Sequence, residues 1–211
     1  MSLAKLNLAK FGVEITSEQL SLLEAHQNMV LETNKHMNLT AITDIEEFAV
    51  KHILDSLTLL PYLKQGARLC DVGSGAGFPG IVLGIMRKDL HVMLVDSLRK
   101  RVTFLQSVVD RLSLTNVEAV HTRAEDLARE GISFDICTAR AVARMDKLVK
   151  YALPITAPGG VFLAMKGPNV EEELEAALSK ITKLHGAVER INKVELVQGL
   201  VHSIVVIRKN L

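Results

Sequence analysis

The sequence predicts an α/β protein: a mostly parallel sheet with helices on both faces, closed by an antiparallel pair of strands. From residue 67 onward, short apolar runs alternate with amphipathic stretches, which is typical of strand–helix units. The first apolar run leads into the glycine-rich stretch DVGSGAGFPG, residues 71–80, which predicts a tight loop between a strand and a helix. The last two runs, AVERINKVELV and HSIVVIRK, have no helical pattern between them and predict the antiparallel pair.

The residues before this sheet read as helices. Thr16 and Gln19 form a capping box, from which a long helix is expected to run to about Met37. Asp44 and Glu47 form a second capping box. The apolar face of the helix after it would comprise Ile45, Phe48, Ala49, Ile53, Leu57 and Leu60. We therefore expect one domain over residues 1–211, with 1–62 as a helical extension of a Rossmann-like core at 63–211.

The remaining elements follow in order along the core. Parallel strands are predicted at ARLCDV, HVMLVD, VEAVHT, FDICTAR and GGVFLAMKG. Helices are predicted directly after the glycine loop, where Pro79 stands in the first turn, and at LRKRVTFLQSVVDRL, MDKLVKYAL and VEEELEAALSKI.

Composition narrows the class of protein. Of the 211 residues, 48 % are hydrophobic but only 4 % are aromatic, so the core must be aliphatic. The net charge of +1 means that nucleic-acid binding would depend on a local basic patch. Cys70 and Cys137 lie inside apolar runs and are expected to be buried, reduced thiols. No apolar window approaches the ~20 residues of a membrane span, and no coiled-coil pattern demands a dimer, so we expect a soluble, cytoplasmic monomer without a resident metal.

The glycine loop fits two kinds of cofactor. Gly75, Gly77 and Gly80 match the dinucleotide fingerprint, and Asp96 ends the next strand, where an acidic residue would hold a ribose diol. Asp71, however, is expected at the mouth of the loop, where it would repel a pyrophosphate and attract an ammonium group. Pro79 has no N–H to offer a phosphate.

The expected positions of Asp71 and Pro79 favour S-adenosylmethionine over NAD as the cofactor. Gly73 and Gly75 would give backbone room to its methionine end. RAED, residues 123–126, follows the third strand, so Glu125 and the N–H of Ala124 or Glu125 could read the adenine edge. Alternatively, Glu125 simply stabilises a helix start.

Several polar residues are candidates for the acceptor side of the site. His52 is either a core histidine held by Asp55, one helical turn away, or part of the acceptor pocket. Asn38 either caps the turn between two helices or contacts the target base. Basic residues that could meet RNA at the ligand edge of the sheet include Arg99, Lys100, Arg101, Arg123, Arg140, Arg144 and Lys166. Arg99–Arg101 could equally be a solvated helix face.

The motifs NLTAI, HILDSL, DVGSGAGFPGI, LVDSLRKRVTFL, TARA and MKG occur in this order along nearly the whole chain. In this they closely resemble the family of bacterial ribosomal RNA small subunit methyltransferase G, also called glucose-inhibited division protein B. The resemblance implies a class I S-adenosylmethionine-dependent methyltransferase that makes 7-methylguanosine in 16S ribosomal RNA near the decoding centre. It also implies cofactor contacts at Gly73, Phe78, Ala124, Glu125 and Arg140, with Phe78 lining the methionine pocket.

One position departs from the family pattern. His202 stands where the family often has an arginine before the last apolar strand. An RNA contact made there by arginine would be weaker in this chain, or would come from Arg208 or Lys209.

The implied acceptor atom, guanine N7, has a lone pair and no proton to lose, so we expect no catalytic general base. Consistently, no NPPY-like stretch follows the fourth strand, and Cys137 does not stand in a Pro–Cys turn. Three alternatives stay open: a methyltransferase acting on a small molecule or a protein, an NAD(P)-dependent oxidoreductase, and a non-catalytic S-adenosylmethionine-binding module.

Overall fold

The computed structural model describes residues 8–210 and contains a seven-stranded sheet with the order β3-β2-β1-β4-β5-β7-β6. The strands are β1 (Arg68–Val72), β2 (His91–Asp96), β3 (Val117–His121), β4 (Phe134–Arg140), β5 (Thr156–Lys166), β6 (Gly186–Val197) and β7 (Leu200–Lys209). β1 to β5 run parallel to one another, and β7 lies antiparallel to both β5 and β6. The predicted mixed sheet with a closing antiparallel pair is confirmed.

Helices cover both faces of this sheet. They are α1 (Ser17–Asn34), α2 (Ile45–Phe48), α3 (Asp55–Leu57), α4 (Gly80–Met86), α5 (Arg99–Arg111), α6 (Ala124–Arg129), α7 (Met145–Ala152), α8 (Glu171–Glu175) and α9 (Leu178–Lys183). The helices α1 to α5 bury side chains in one core cluster, and α6 to α9 bury theirs in a second. The helix predicted at VEEELEAALSKI is therefore two short helices.

The N-terminal helices begin where the capping residues predict. Thr16 and Gln19 make both reciprocal bonds of a capping box at the start of α1. Asp44 accepts from the N–H groups of Glu46 and Glu47, but the second box is incomplete because the Glu47 side chain pairs with Lys51 instead. α1 ends at Asn34, three residues before the predicted Met37.

A π-helical segment, Ala49–Leu54, lies between α2 and α3. Its wider turn changes the angular spacing of the side chains, so the face predicted from regular helical periodicity is only partly right. Phe48, Ile53 and Leu57 are buried as predicted, whereas Ile45 is 55 % exposed.

Cys70 and Cys137 are free and buried, as predicted. Burial raises the pKa of the Cys137 thiol to about 12, so this sulfur stays protonated. Among residues 8–210, no helix has the length and apolarity needed to cross a bilayer.

Candidate functional site

The glycine loop joins β1 to α4 at the carboxyl edge of the parallel strands. Asp71, at the start of the loop, bonds to the residue that begins α4. The Asp71 carboxylate is fully buried, and its Oδ2 accepts the N–H of Gly80 at 3.0 Å. A side chain at Gly80 would collide with Leu94 and with this carboxylate, with closest approaches of 2.2 and 2.8 Å. Glycine at position 80 is therefore what lets the start of α4 descend onto β1.

This placement corrects the expectation for Asp71. The residue lies beneath the loop, where it ties strand to helix, rather than at an open mouth that could receive an ammonium group. It also uses the first N–H of α4, and the next N–H, of Ile81, donates to the Gly77 carbonyl at 2.9 Å. Dinucleotide folds offer such N–H groups to phosphate, and here the protein itself occupies them.

A first cavity of about 500 Å³ opens beside this loop. Its lining includes Gly73, Asp96, Arg101, Ala124, Glu125 and Val142. Asp96 is nearly buried, and its carboxylate accepts from Gly75 N at 3.0 Å and from Leu98 N at 2.9 Å. Arg101 approaches the same carboxylate at 3.6 Å. Asp96 thus lies where an acidic residue was predicted. Gly75 donates to its carboxylate but is not among the residues that line the first cavity.

The first turn of α6 forms another part of this wall. Ala124 and Glu125 are its first two residues, and N–H groups at such positions have no partner within their own helix. The first N–H of the α6 ladder to bond within the helix is that of Asp126, which donates to the Arg123 carbonyl. The structure therefore brings together a carboxylate, Glu125, and backbone donors, as the adenine interpretation requires.

A second cavity of about 420 Å³ lies on the other side of β4. Its lining includes His52, Asp55, Arg140, Lys166, Glu173 and His202. Arg140 joins the π-helical segment to the sheet: it donates to the Lys51 carbonyl at 2.7 Å, to His52 Nδ1 at 2.8 Å and to Asp55 Oδ2 at 3.2 Å. Of the two interpretations of His52, the one in which Asp55 holds it is wrong: Arg140 bonds to both side chains, and no hydrogen bond joins His52 to Asp55 among the described residues.

His52 has both ring nitrogens engaged. Its Nδ1 accepts from Arg140, so its Nε2 carries the hydrogen and donates to Thr40 Oγ1 at 2.8 Å. Burial, with the nearby Arg140 charge, lowers the pKa of His52 to about 3. Such an imidazole is neutral at pH 7 and has no free lone pair with which to take a proton.

Asp55 also reaches β7, through His202. Its Oδ1 accepts from His202 Nδ1 at 2.7 Å, so the residue at the position that departs from the family pattern lies in the second cavity. Arg208 and Lys209, the alternatives for an RNA contact, lie at the far end of β7, where Arg208 pairs with Glu189 and Lys209 donates to the Leu184 carbonyl.

Phe78 lies in the core under the loop, only 3 % exposed, rather than on the wall of the first cavity. Its ring stacks between two imidazoles, those of His26 and His52, each at a centroid distance of 4.7 Å. The Arg140 guanidinium lies over the same ring, 5.3 Å from its centroid. Phe78 therefore links the glycine loop to the second cavity by packing.

The segment after β4 separates the two cavities. Ala141 lines both of them and has a left-handed backbone, with φ at 54°. Val142 packs so closely on Gly73 that a Cβ there would come within 2.6 Å of it. The Lys166 ammonium donates to the Ala143 carbonyl at 2.8 Å and fixes the segment from β5.

The other candidates for RNA contact are placed apart. Asn38 and Lys100 are exposed and line a groove of about 660 Å³ between the C-terminal end of α1 and the start of α5. The turn after α1 is capped by Asn34, whose Oδ1 accepts from the N–H groups of Leu39 and Thr40, and not by Asn38. Arg101 lies in the first cavity, and Lys166 in the second.

Sequence reasoning missed the roles of Thr40, Asn34 and Glu173. Thr40 was visible within the NLTAI motif, but the sequence does not reveal that it accepts from a histidine twelve residues later. Glu173 stands in a run of three acidic residues and was not distinguishable from its neighbours.

The chain is similar in sequence to a known protein family. The sequence pattern of the family described as rRNA small subunit methyltransferase G matches residues 19–201. The chain is 45 % identical over 204 residues to the "Ribosomal RNA small subunit methyltransferase G" of Clostridium botulinum (strain Eklund 17B / Type B), covering 94 % of this chain and 85 % of that protein. It is 41 % identical to the protein of the same name from Desulfitobacterium hafniense (strain Y51), covering 97 % and 87 %.

Solved structures of lower identity share the fold. A precorrin-6y C5,15-methyltransferase from Geobacter metallireducens matches with a TM-score of 0.55 at 14 % identity, over 80 % of this chain and 90 % of that one. A Plasmodium falciparum structure titled as a putative protein-L-isoaspartate O-methyltransferase in complex with S-adenosyl-L-homocysteine matches with a TM-score of 0.51 at 20 % identity, over 77 % and 82 %. The match to the family's sequence pattern and the identity to its members show that the chain belongs to the rRNA small subunit methyltransferase G family, which confirms the resemblance read from its motifs.

Proposed function

We propose that this chain transfers a methyl group from S-adenosylmethionine to N7 of a guanine in 16S ribosomal RNA of the small subunit. The observation that carries the proposal is the pair of adjoining cavities at the carboxyl edge of the sheet, which share Ala141. Ligands of open α/β sheets bind at this edge. Two substrates held on either side of β4 would meet there.

The first cavity fits S-adenosylmethionine by the chemistry of its lining. Asp96 presents a carboxylate for a ribose diol, Glu125 and the first N–H groups of α6 suit an adenine edge, and Gly73 leaves backbone room. The N–H groups that would hold a pyrophosphate are occupied by Asp71 and Gly77, which disfavours NAD. When bound, S-adenosylmethionine supplies an electrophilic methyl group.

The second cavity fits a nucleophile that needs positioning more than deprotonation. His52 is neutral and has both nitrogens bonded, so it offers no base. Arg140 is fixed by Asp55, His52 and Lys51 at the end of β4, and Lys166 brings a second cation from β5. A guanine N7 lone pair needs alignment and no proton acceptor, and alignment alone can supply much of the acceleration.

RNA would reach this edge past exposed polar and basic side chains. Lys100 and Asn38 line the groove between the C-terminal end of α1 and the start of α5. Residues 1–62 and 63–211 would act together as one domain, because side chains of α1 such as Leu23 and Val30 share a core cluster with Ile81 of α4.

The test is transfer of label from methyl-labelled S-adenosylmethionine to isolated small subunits, to naked 16S RNA and to a metabolite extract. Label in RNA, absent when the subunits already carry the modification, is expected. Label in a small molecule or a ribosomal protein instead would favour the alternative methyltransferase function. Binding of NAD in place of S-adenosylmethionine, measured by calorimetry, would contradict the cofactor assignment.

A further inference from the structure

Lys166 and Glu173 form an ion pair on the wall of the second cavity. The Lys166 Nζ lies 2.7 Å from Glu173 Oε2, and both side chains are largely buried, 13 % and 29 % exposed. Lys166 ends β5, and Glu173 belongs to α8. A cation and an anion are therefore held side by side facing the same space.

Each member of the pair keeps hydrogen-bonding capacity. Glu173 Oε2 also accepts the N–H of Met145 at 3.0 Å, while no group among residues 8–210 donates to Oε1. The Lys166 ammonium donates to the Ala143 carbonyl and to Glu173, which leaves one of its three hydrogens. By contrast, both nitrogens of His52 and both oxygens of Asp55 are engaged within the protein.

We propose, resting on the proposed function, that this pair recognises the Watson–Crick edge of the target guanine. Lys166 would donate to O6, and Glu173 Oε1 would accept from N1–H and the exocyclic amine. Enzymes that act on a base commonly take it out of the stack and read this edge. The hydrogen bond from Lys166 lowers the pKa of Glu173, which keeps the carboxylate an acceptor.

The order of charges along the pair selects guanine. Guanine presents an acceptor at O6 beside a donor at N1, whereas adenine presents an amine at position 6 beside a lone pair at N1. Adenine would therefore set a donor against the ammonium and a lone pair against the carboxylate. N7 lies on the other side of O6 and stays uncovered. A volume of about 420 Å³ is within the ~300–1,000 Å³ of ordinary small-molecule sites.

The test compares RNA carrying guanine at the methylated position with RNA carrying inosine there. Inosine keeps N7, O6 and N1–H and lacks only the exocyclic amine. We expect the wild type to prefer guanine by about 10- to 100-fold in kcat/KM, the effect of losing a hydrogen bond to a charged group. Glu173→Gln should reduce this preference at least fivefold. The matched control is Glu172→Gln, a neighbouring exposed residue of the same helix, which should leave the preference unchanged.

The outcomes separate the pair's role from other roles. If Glu173 only supports α7 and α8, Glu173→Gln slows both RNAs equally and the ratio stays constant, which would overturn the assignment. Equal use of guanine and inosine by the wild type would overturn it as well, and this measurement needs no folded variant. Failure to methylate N7 of the guanine RNA at all would contradict the proposed function instead.

Discussion

At the residue scale, His52 shows how hydrogen bonds decide chemistry. Thr40 and Arg140 each engage one ring nitrogen, and burial with the Arg140 charge lowers the pKa to about 3. An imidazole in this state supports the wall of the second cavity and stacks on Phe78. A general base would instead need an accessible lone pair and a pKa near the working pH.

The pH profile of the chemical step should therefore be flat. Single-turnover rates are expected to stay constant from about pH 6.5 to 8.5, since His52 is neutral above its lowered pKa. His52→Gln should keep turnover within about tenfold of the wild type, because removing a true base typically costs ~10²–10⁴-fold. His91→Gln, at the exposed start of β2, is the control. A hundredfold loss together with disappearance of a rise near pH 6.5 would make His52 the base and N7 the wrong acceptor.

Asp96 is expected to contribute to the affinity for S-adenosylmethionine. Asp96→Ala should weaken S-adenosylmethionine binding by about 1–3 kcal/mol, the cost of a lost charge-assisted hydrogen bond. Because Asp96 also accepts from Gly75 and Leu98, thermal melting must accompany the calorimetric titration. Asp110→Ala, on an exposed face of α5, should bind normally. Unchanged affinity in Asp96→Ala would remove Asp96 from the proposed ribose site.

At the scale of elements, the junction of β1 and α4 contains a carboxyl group, that of Asp71, whose burial disfavours its charged form. Burial raises the pKa of Asp71 to about 6, although the Gly80 N–H and Ser74 act in the opposite direction. An unfolded aspartate titrates near ~3.9. Between these values the folded chain binds more protons than the unfolded chain, so this residue's contribution to stability falls as the pH rises through the window.

Asp71→Asn should remove that dependence. Relative to the wild type, the variant's free energy of unfolding should improve by about 1–2 kcal/mol between pH 5 and pH 8. His26 and His52 titrate in both proteins and cancel in the difference. Urea unfolding at the two pH values checks this. If the two proteins differ in free energy of unfolding by the same amount at both pH values, then ionisation of Asp71 does not lower the stability of the folded chain.

Sequence patterns predicted the starts of two helices but not the π-helical segment. Capping residues placed the starts of α1 and α2, because a cap depends on neighbours three residues away. The π segment Ala49–Leu54 was not predictable from regular helical periodicity. In the fold it bonds to Arg140 of β4 through the Lys51 carbonyl and the His52 side chain, a contact between residues far apart in the sequence. Arg140 bonds to Asp55 as well, and the interpretation in which Asp55 holds His52 is wrong.

At the scale of the whole molecule, the parallel order of the strands explains which candidate site residues could be identified from the sequence. Gly73, Asp96, Ala124 and Glu125 follow successive parallel strands, so their meeting at one edge was predictable and they line one cavity. Phe78 and Asp71 have neighbours from several elements, and only the packed structure reveals that both lie beneath the loop.

A net charge of +1 makes RNA binding depend on local basic groups. Methylation of RNA should fall steeply with added salt, because neutralised phosphates release counterions. Lys100→Glu should raise the KM for RNA and lower the salt slope by about 1, leaving cofactor affinity unchanged. Lys183→Glu, exposed on α9 at the opposite face, makes the same charge change. Equal effects of both variants would mean that the groove with Asn38 is not an RNA contact.

Chemical cleavage at 7-methylguanosine tests the assignment of guanine N7 as the acceptor atom. Small subunits lacking the modification are incubated with this protein and S-adenosylmethionine, and their 16S RNA is then reduced with borohydride and treated with aniline, which breaks the chain only at N7-methylated guanine. We predict one new break, at a single guanine, that requires both protein and cofactor. Methyl label incorporated into the RNA without any such break would contradict it, because the acceptor would then be an atom other than N7.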